Sequence, residues 1–225
     1  MKKQKYSFEE DYFEGYFKGI GDFSLVRNKE LQNLFKGIFN YLNHFVALKN
    51  GKNKKALEFG CATGSAAKVL YNWGFEVTAT DISKYAVSRV KKIYPEINFF
   101  VQDIQQPLKI KTKFDVAFAF DVIEHLENPE QAIKNMYHAL KPGGFAICST
   151  PNEFKYKSGD PSHINVKKPE EWKRIFTKAG FRNIIIRQVT LVPFLYRWHW
   201  RLNFPIPFVL SCRFLLTPVF IIGER

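Results

Sequence analysis

Residues 121–129 read DVIEHLENP, which sets Asp121, Glu124 and His125 within five positions, directly behind the apolar run FDVAFAF. Side chains of these types at this spacing support three roles. His125, whose imidazole has an ordinary pKa of about 6.5, suits a general base that removes the proton of a hydroxyl. Asp121, Glu124 and His125 together offer oxygen and nitrogen donors to a divalent ion such as Mg²⁺, which would acidify the same hydroxyl. The third role is local, with His125 hydrogen-bonding the loop and Glu124 ordering it. A second histidine, His163 in the later loop PNEFKYKSGDPSHIN (151–165), strengthens the metal reading, although a histidine in such a loop also serves without any ligand.

A second group lies upstream in EFGCATGSAAKVL (58–70). Gly60 and Gly64 let the backbone turn tightly and approach a ligand, and the helix that follows presents its N-terminal amides. A nicotinamide enzyme would carry G-x-G-x-x-G, yet Ala62 and Ser65 occupy its second and third glycine positions, which argues against that fingerprint. Asp81 closes the next apolar segment, where a carboxylate accepts both hydroxyls of a ribose, and Asp103 closes the one after it, where an acid accepts from the amine of adenine.

These residues need a frame. Short apolar segments at 56–59, 76–81, 98–103, 114–120, 145–150, 181–189 and 218–224 read as seven strands. Helices are expected between them at about 65–73, 83–93, 129–140 and 169–179, and an amphipathic helix precedes them at 29–48, with Leu31, Leu34, Phe35, Ile38, Leu42 and Phe45 on one face. Gly74, Pro95, Asn128-Pro129, Gly143-Gly144 and Gly180 punctuate the helices. The expected fold is α/β: a Rossmann-like, doubly wound seven-stranded sheet whose ligands bind at the carboxyl ends of the strands.

The 225 residues suit one domain with a decorated terminus, and 46% hydrophobic with 16% aromatic content excludes a disordered chain. A net charge of +13 favours a polyanion or an anionic membrane surface as a neighbour, unless it reflects a lysine-rich background. Three widely spaced cysteines, Cys61, Cys148 and Cys212, imply a reducing compartment, and the start MKKQKYSFEEDYFEG has no apolar signal core; a cytoplasmic location is expected, with membrane association open. Tyr12, Phe13, Tyr16 and Phe17 crowd the N-terminus, either as a docking element or as a cover for the ligand site. Residues 191–216 form an insert rich in aromatic residues and arginine, free of acids, and broken by proline before any membrane span is reached. Its composition fits a peripheral membrane contact, an apolar substrate pocket, RNA bases and phosphates, or a dimer contact.

The motifs E-x-G-x-A-x-G, TATDIS (78–83), QDI (102–104), FDVAFAFDVIEHL (114–126) and LKPGGFAICSTPN (140–152) together resemble a class I S-adenosylmethionine-dependent methyltransferase over roughly residues 50–190. The resemblance implies that Glu58, Gly60, Ala62 and Gly64 hold the methionine part of the cofactor, Asp81 with Ile82 the ribose, and Asp103 with Ile104 the adenine, with Asp121 beside the reactive end. Ala62 stands where many members have glycine. It also implies a sheet that is mostly parallel with an antiparallel last strand, and a division into an N-terminal helical cap (1–50) and a methyltransferase domain (51–225). DVIEHL, STPN and a later histidine further resemble small-RNA 3′-end 2′-O-methyltransferases, which implies a metal set of Asp121, Glu124, His125 and His163; ubiquinone-pathway O-methyltransferases carry a similar acid-x-x-Glu-His run. The expectation is O-methylation of a small, lipid-linked or glycan-linked acceptor. The alternatives are an RNA 2′-O-methyltransferase using Mg²⁺ and a cofactor-binding module without catalysis.

Overall fold

Apolar residues run almost unbroken along FDVAFAF because that segment is covered on both faces, as parallel sheets require. The computed structural model describes residues 7–13, 23–152, 161–192, 195–202, 205–210 and 215–225. The seven strands are β1 (Lys55–Phe59), β2 (Glu76–Asp81), β3 (Asn98–Val101), β4 (Phe114–Phe120), β5 (Leu140–Pro151), β6 (Arg182–Gln188) and β7 (Pro218–Glu224). They form one sheet in the order β3-β2-β1-β4-β5-β7-β6, with β7 alone antiparallel to its neighbours.

Five helices cover the two faces: α1 (Leu25–Leu42), α2 (Ser65–Asn72), α3 (Lys84–Ile93), α4 (Pro129–Ala139) and α5 (Pro169–Ala179). One core joins α1, α2 and α3 to Val116 and Phe118 of β4; the other joins α4 and α5 to Ala117 and Ala119. Successive residues of β4 thus feed opposite layers, as the period of two demands. Phe114 breaks the alternation, and a register shift between Phe114 and Val116 accounts for it. Phe39 of α1 meets Phe118 edge-on at 5.3 Å, so α1 belongs to the same core as the sheet.

Several boundaries differ from expectation. α1 starts four residues earlier than its apolar stripe, at the Ser24 cap, and ends at Leu42 rather than at 48. There the Asn43 side chain accepts from the Leu48 and Lys49 amides at 2.9 Å and turns the chain. β3 stops at Val101, so Asp103 sits in the turn beyond the strand rather than ending it. β5 begins at Leu140, so Gly143-Gly144 lies within it instead of closing α4. A side chain at Gly144 would meet backbone oxygens of Lys141, Asp115 and Phe114 within 2.9–3.1 Å, so strand contact selects that glycine. Asn128 caps α4 through the Gln131 amide, and Gly180 closes α5 with φ +107°, both as expected.

Candidate active site

The strand order reverses between β1 and β4. From β1 the chain winds out to β2 and β3, then returns across the sheet to β4 and on to β5, which opens a crevice at their carboxyl ends. The glycine loop follows β1, and DVIEH follows β4, so the two segments singled out for chemistry flank one crevice.

On the first flank, Gly60, Ala62 and Gly64 all have positive φ, at +69°, +43° and +71°. Alternation along β1 places Glu58 on the face of Ala56, under α1, α2 and α3. Its carboxylate accepts from the Ala67 amide in the first turn of α2, a helix that has no side-chain cap of its own. Burial pushes the Glu58 pKa up to about 8, the Ala67 amide opposes the rise, and nearby Asp81 adds to it. Asp81 stitches the loop to the start of α3: Oδ2 accepts from the Ala62 amide and Oδ1 from the Ser83 amide, each at 2.9 Å. Burial raises the Asp81 pKa against those amides, and Glu9 raises it further. Asp103 is half-buried, with Oδ1 accepting from the Gln105 amide at 2.8 Å, while Ile104 is buried and Ile82 half-buried. The thiol of Cys61 is pushed well above its ordinary range, first by burial, as is that of Cys148, and both cysteines are free; Cys212 lies outside the described residues.

On the second flank, Asp121 takes a left-handed turn, φ +51°, as the chain leaves β4. Ser149 of β5 holds it there: the Asp121 amide donates to Ser149 at 3.1 Å, and the Ser149 hydroxyl donates to Asp121 Oδ1 at 2.9 Å. A single 3-10 turn, Ile123–His125, then buries Glu124 and His125. The 162–165 segment docks on this turn. The Asn165 amide donates to the Glu124 carbonyl at 2.8 Å, its side chain donates to the Leu126 carbonyl, and Ser162 Oγ lies 2.9 Å from His125 Nδ1. His163 thereby reaches His125, ring centroids 4.4 Å apart and nearly perpendicular. One ligand atom from each of Glu124, His125 and His163 falls within 4.8 Å of the others. Asp121 is not part of that cluster; its carboxylate is engaged by Ser149.

Residues 7–13 cross from one flank to the other. Glu9 accepts from Ser83 Oγ and from the Lys84 and Tyr85 amides at 2.9–3.2 Å, and Phe8 meets the His125 ring edge-on at 5.5 Å. Tyr12 packs between Phe8 and Phe13, whereas Tyr16 and Phe17 lie outside the described residues. Phe8, Glu9, Ser162 and Asn165 carry no motif, and Ser149 stands in STPN, which points to no role for the serine itself. For Ser162 and Asn165 the signal was their place beside His163 in SHIN.

A family profile described as methyltransferase domain matches residues 31–185. The chain is 32% identical over 161 residues to a ubiquinone biosynthesis O-methyltransferase of Rickettsia canadensis, covering 68% of this chain and 65% of that protein. It is 32% identical over 105 residues to a protein of the same name from Coxiella burnetii, covering 45% of each. The matches therefore span between about half and two-thirds of these relatives' length. The fold is shared with magnesium protoporphyrin IX methyltransferase of Synechocystis PCC 6803 solved with S-adenosylhomocysteine, TM-score 0.63 at 18% identity over 96% of this chain and 97% of that one. It is shared also with phosphoethanolamine N-methyltransferase 2 of Haemonchus contortus in complex with S-adenosyl-L-methionine, TM-score 0.65 at 16% identity over 98% of this chain and 60% of that one. Profile, sheet order and the glycine loop at the reversal of strand order agree, and the chain belongs to the class I S-adenosylmethionine-dependent methyltransferases.

Proposed function

We propose that the chain transfers a methyl group from S-adenosylmethionine to an oxygen of a small or lipid-linked acceptor, with a phenol or quinone-precursor type favoured by the name its relatives carry. The observation that carries this reading is the placement of the Glu124–His125–His163 cluster across the crevice from the glycine loop. The first flank fits the cofactor. Glu58 Oε2 is buried with no hydrogen-bond partner among the described residues, an acceptor whose burial a cationic ammonium group would compensate. Asp81 stands with both oxygens already oriented by backbone amides, ready to accept from ribose hydroxyls, with Ile82 beside it. Asp103 and Ile104 would take the adenine side, and Gly60, Ala62 and Gly64 the methionine part.

When bound, the cofactor supplies a methyl carbon on a sulfonium, open to in-line displacement. The protein must then align the acceptor oxygen, and such positioning supplies about 7–11 kcal/mol of the barrier. Ser162 fixes the His125 ring through Nδ1, and an Nδ1–H donated to Ser162 sets the tautomer in which Nε2 is the basic nitrogen that would take the acceptor's proton. Asp121, pinned by Ser149, marks the boundary between donor and acceptor.

A second reading rests on the same cluster as a metal centre. Glu124, His125 and His163 would hold a divalent ion that polarises the acceptor oxygen, and this nitrogen-rich set suits a first-row transition ion better than Mg²⁺. Calorimetry with S-adenosylhomocysteine tests the donor half: no heat at millimolar ligand sinks it. Labelled methyl transfer to phenolic acceptors, with and without chelator, separates the two roles of His125. Activity that survives chelation but collapses in His125→Ala supports the base, and activity restored by added metal supports the ion.

A further inference from the structure

The 191–216 insert leaves the sheet at a defined place. β6 runs with the parallel strands and β7 runs back, so the segment joining them starts and ends at the carboxyl edge. Pro218, the first residue of β7, pairs with Pro151, the last of β5. The insert therefore stands on the same rim as the crevice. Its first 3-10 turn, Leu195–Arg197, docks on the start of α1: Tyr196 is buried with its hydroxyl 3.4 Å from Arg27 Nη1, and Arg197 approaches Glu30 at 3.5 Å. The start of α1 is itself tied to the glycine loop, since Asn28 Oδ1 accepts from Ser65 Oγ at 3.1 Å. Insert and helix start make one continuous rim.

That rim exposes apolar side chains. Leu25 and Val26 are 79% and 73% exposed, Trp198 79% and Phe208 57%, with Leu202 and Leu216 also exposed. The exposure is built rather than left over. Thr190 Oγ1 donates to the Phe208 carbonyl at 2.7 Å and accepts from the Leu210 amide at 2.9 Å, which pins the segment bearing Phe208. Cations outnumber acids around it. No acid occurs in 191–216 or in the first turn of α1; Glu30 already faces Arg27 and Arg197; Lys29 is exposed, and Arg201 lies over the Trp200 ring at 5.4 Å.

We infer that this rim, from the start of α1 through Trp198 and Phe208, is a docking surface for an anionic phospholipid bilayer. Apolar side chains framed by an excess of cations, with Glu30 already paired to Arg27 and Arg197, match a headgroup layer over hydrocarbon. Aliphatic Leu25, Val26, Leu202 and Leu216 offer no plane for a base, which disfavours nucleic acid. A second copy would set two basic faces together in a chain of net charge +13. No helix among the described residues is long and apolar enough to cross a membrane, so the contact proposed is one that lies on the surface. Docked this way, the crevice opens toward the lipid, where a lipid-linked acceptor resides. The inference goes beyond methyl transfer and does not require it.

The test is co-sedimentation of the full chain with vesicles of phosphatidylcholine alone or mixed with phosphatidylglycerol. Uptake is expected only on the mixed vesicles, falling with salt. Arg201→Glu should lower partitioning about fivefold or more, and Trp198→Ser with Phe208→Ser about tenfold. Because these side chains are exposed, melting temperature and S-adenosylhomocysteine affinity should match the parent. Equal partitioning of parent and variants overturns the inference. So does uptake of single-stranded RNA without uptake of vesicles, or a dimer in light scattering that Trp198→Ser dissolves. Loss of S-adenosylhomocysteine binding with vesicle uptake intact would count against the donor site alone.

Discussion

Gly60 offers the sharpest test of how the two flanks fit together. A Cβ at this position would lie 2.3 Å from Val122 Cγ2, and the residue holds φ +69°. Gly60→Ala thus incurs two separable costs. Left-handed backbone costs an alanine about 1–2 kcal/mol, and forcing a methyl against Val122 adds about 1–3 kcal/mol of overpacking. The sum, about 2–5 kcal/mol, corresponds to a fall of about 4–20 °C in melting temperature for a chain of this size. Val122→Ala removes the opposing methyl and leaves the backbone cost. In a cycle of Gly60→Ala, Val122→Ala and the double variant, followed by urea unfolding without ligand, the double variant should be more stable than the sum of singles predicts by about 1–3 kcal/mol. Additivity within about 0.5 kcal/mol would refute the claim that Val122 of the acceptor flank fills the space Gly60 leaves in the donor loop.

Three further outcomes follow from the site. The folded pKa of Glu58, about 8, lies above its ordinary 4.5, so the folded protein retains a proton there that the unfolded chain has released; stability is full below about pH 4.5 and is lost as pH rises toward 8. Glu58→Gln should flatten urea-derived stability across that window and make the ligand-free protein more stable at pH 8; an unchanged slope would show that Glu58 is not the source. Ser162→Ala removes the hydroxyl 2.9 Å from His125 Nδ1 and should cut kcat about tenfold while S-adenosylhomocysteine affinity stays put in calorimetry; a loss of stability with kcat intact would make Ser162 purely structural. His163→Ala should abolish any heat of Mn²⁺ or Zn²⁺ binding to the protein, and metal binding that survives this change would remove His163 from the cluster.

Much of the frame was legible because parallel strands covered on both faces leave apolar runs that cannot be mistaken for amphipathic helices. FDVAFAF and the helix caps at Asn128 and Gly180 fell where expected. The misplaced boundaries have local causes. Phe45 continues the apolar stripe of α1, yet Asn43 captures the Leu48 and Lys49 amides and stops the helix, an event that periodicity does not register. Gly143-Gly144 reads as a helix terminator, but both lie inside β5, where Gly143 holds φ +77° and backbone oxygens of Lys141, Asp115 and Phe114 pass too close for a side chain at Gly144. In the site, Asp81 and the glycine positions were readable because each residue type answers to a backbone requirement: a left-handed turn, or an acid at a strand end.

Linear order alone determined the class of fold and nominated both flanks of the crevice, since glycine spacing, strand-end acids and DVIEHL act through residues within a few positions of one another. Only the folded chain decided which candidates meet. His163 stands 38 positions after His125 and comes within ring contact because Asn165 and Ser162 dock a later loop on the 3-10 turn, while Asp121, three positions before Glu124, turns away to Ser149. Glu58, an ordinary acid in sequence, is left with a proton near neutral pH because β1 buries it beneath three helices. Burial and long-range hydrogen bonding depend on where distant segments settle, and those distances are set by the sheet.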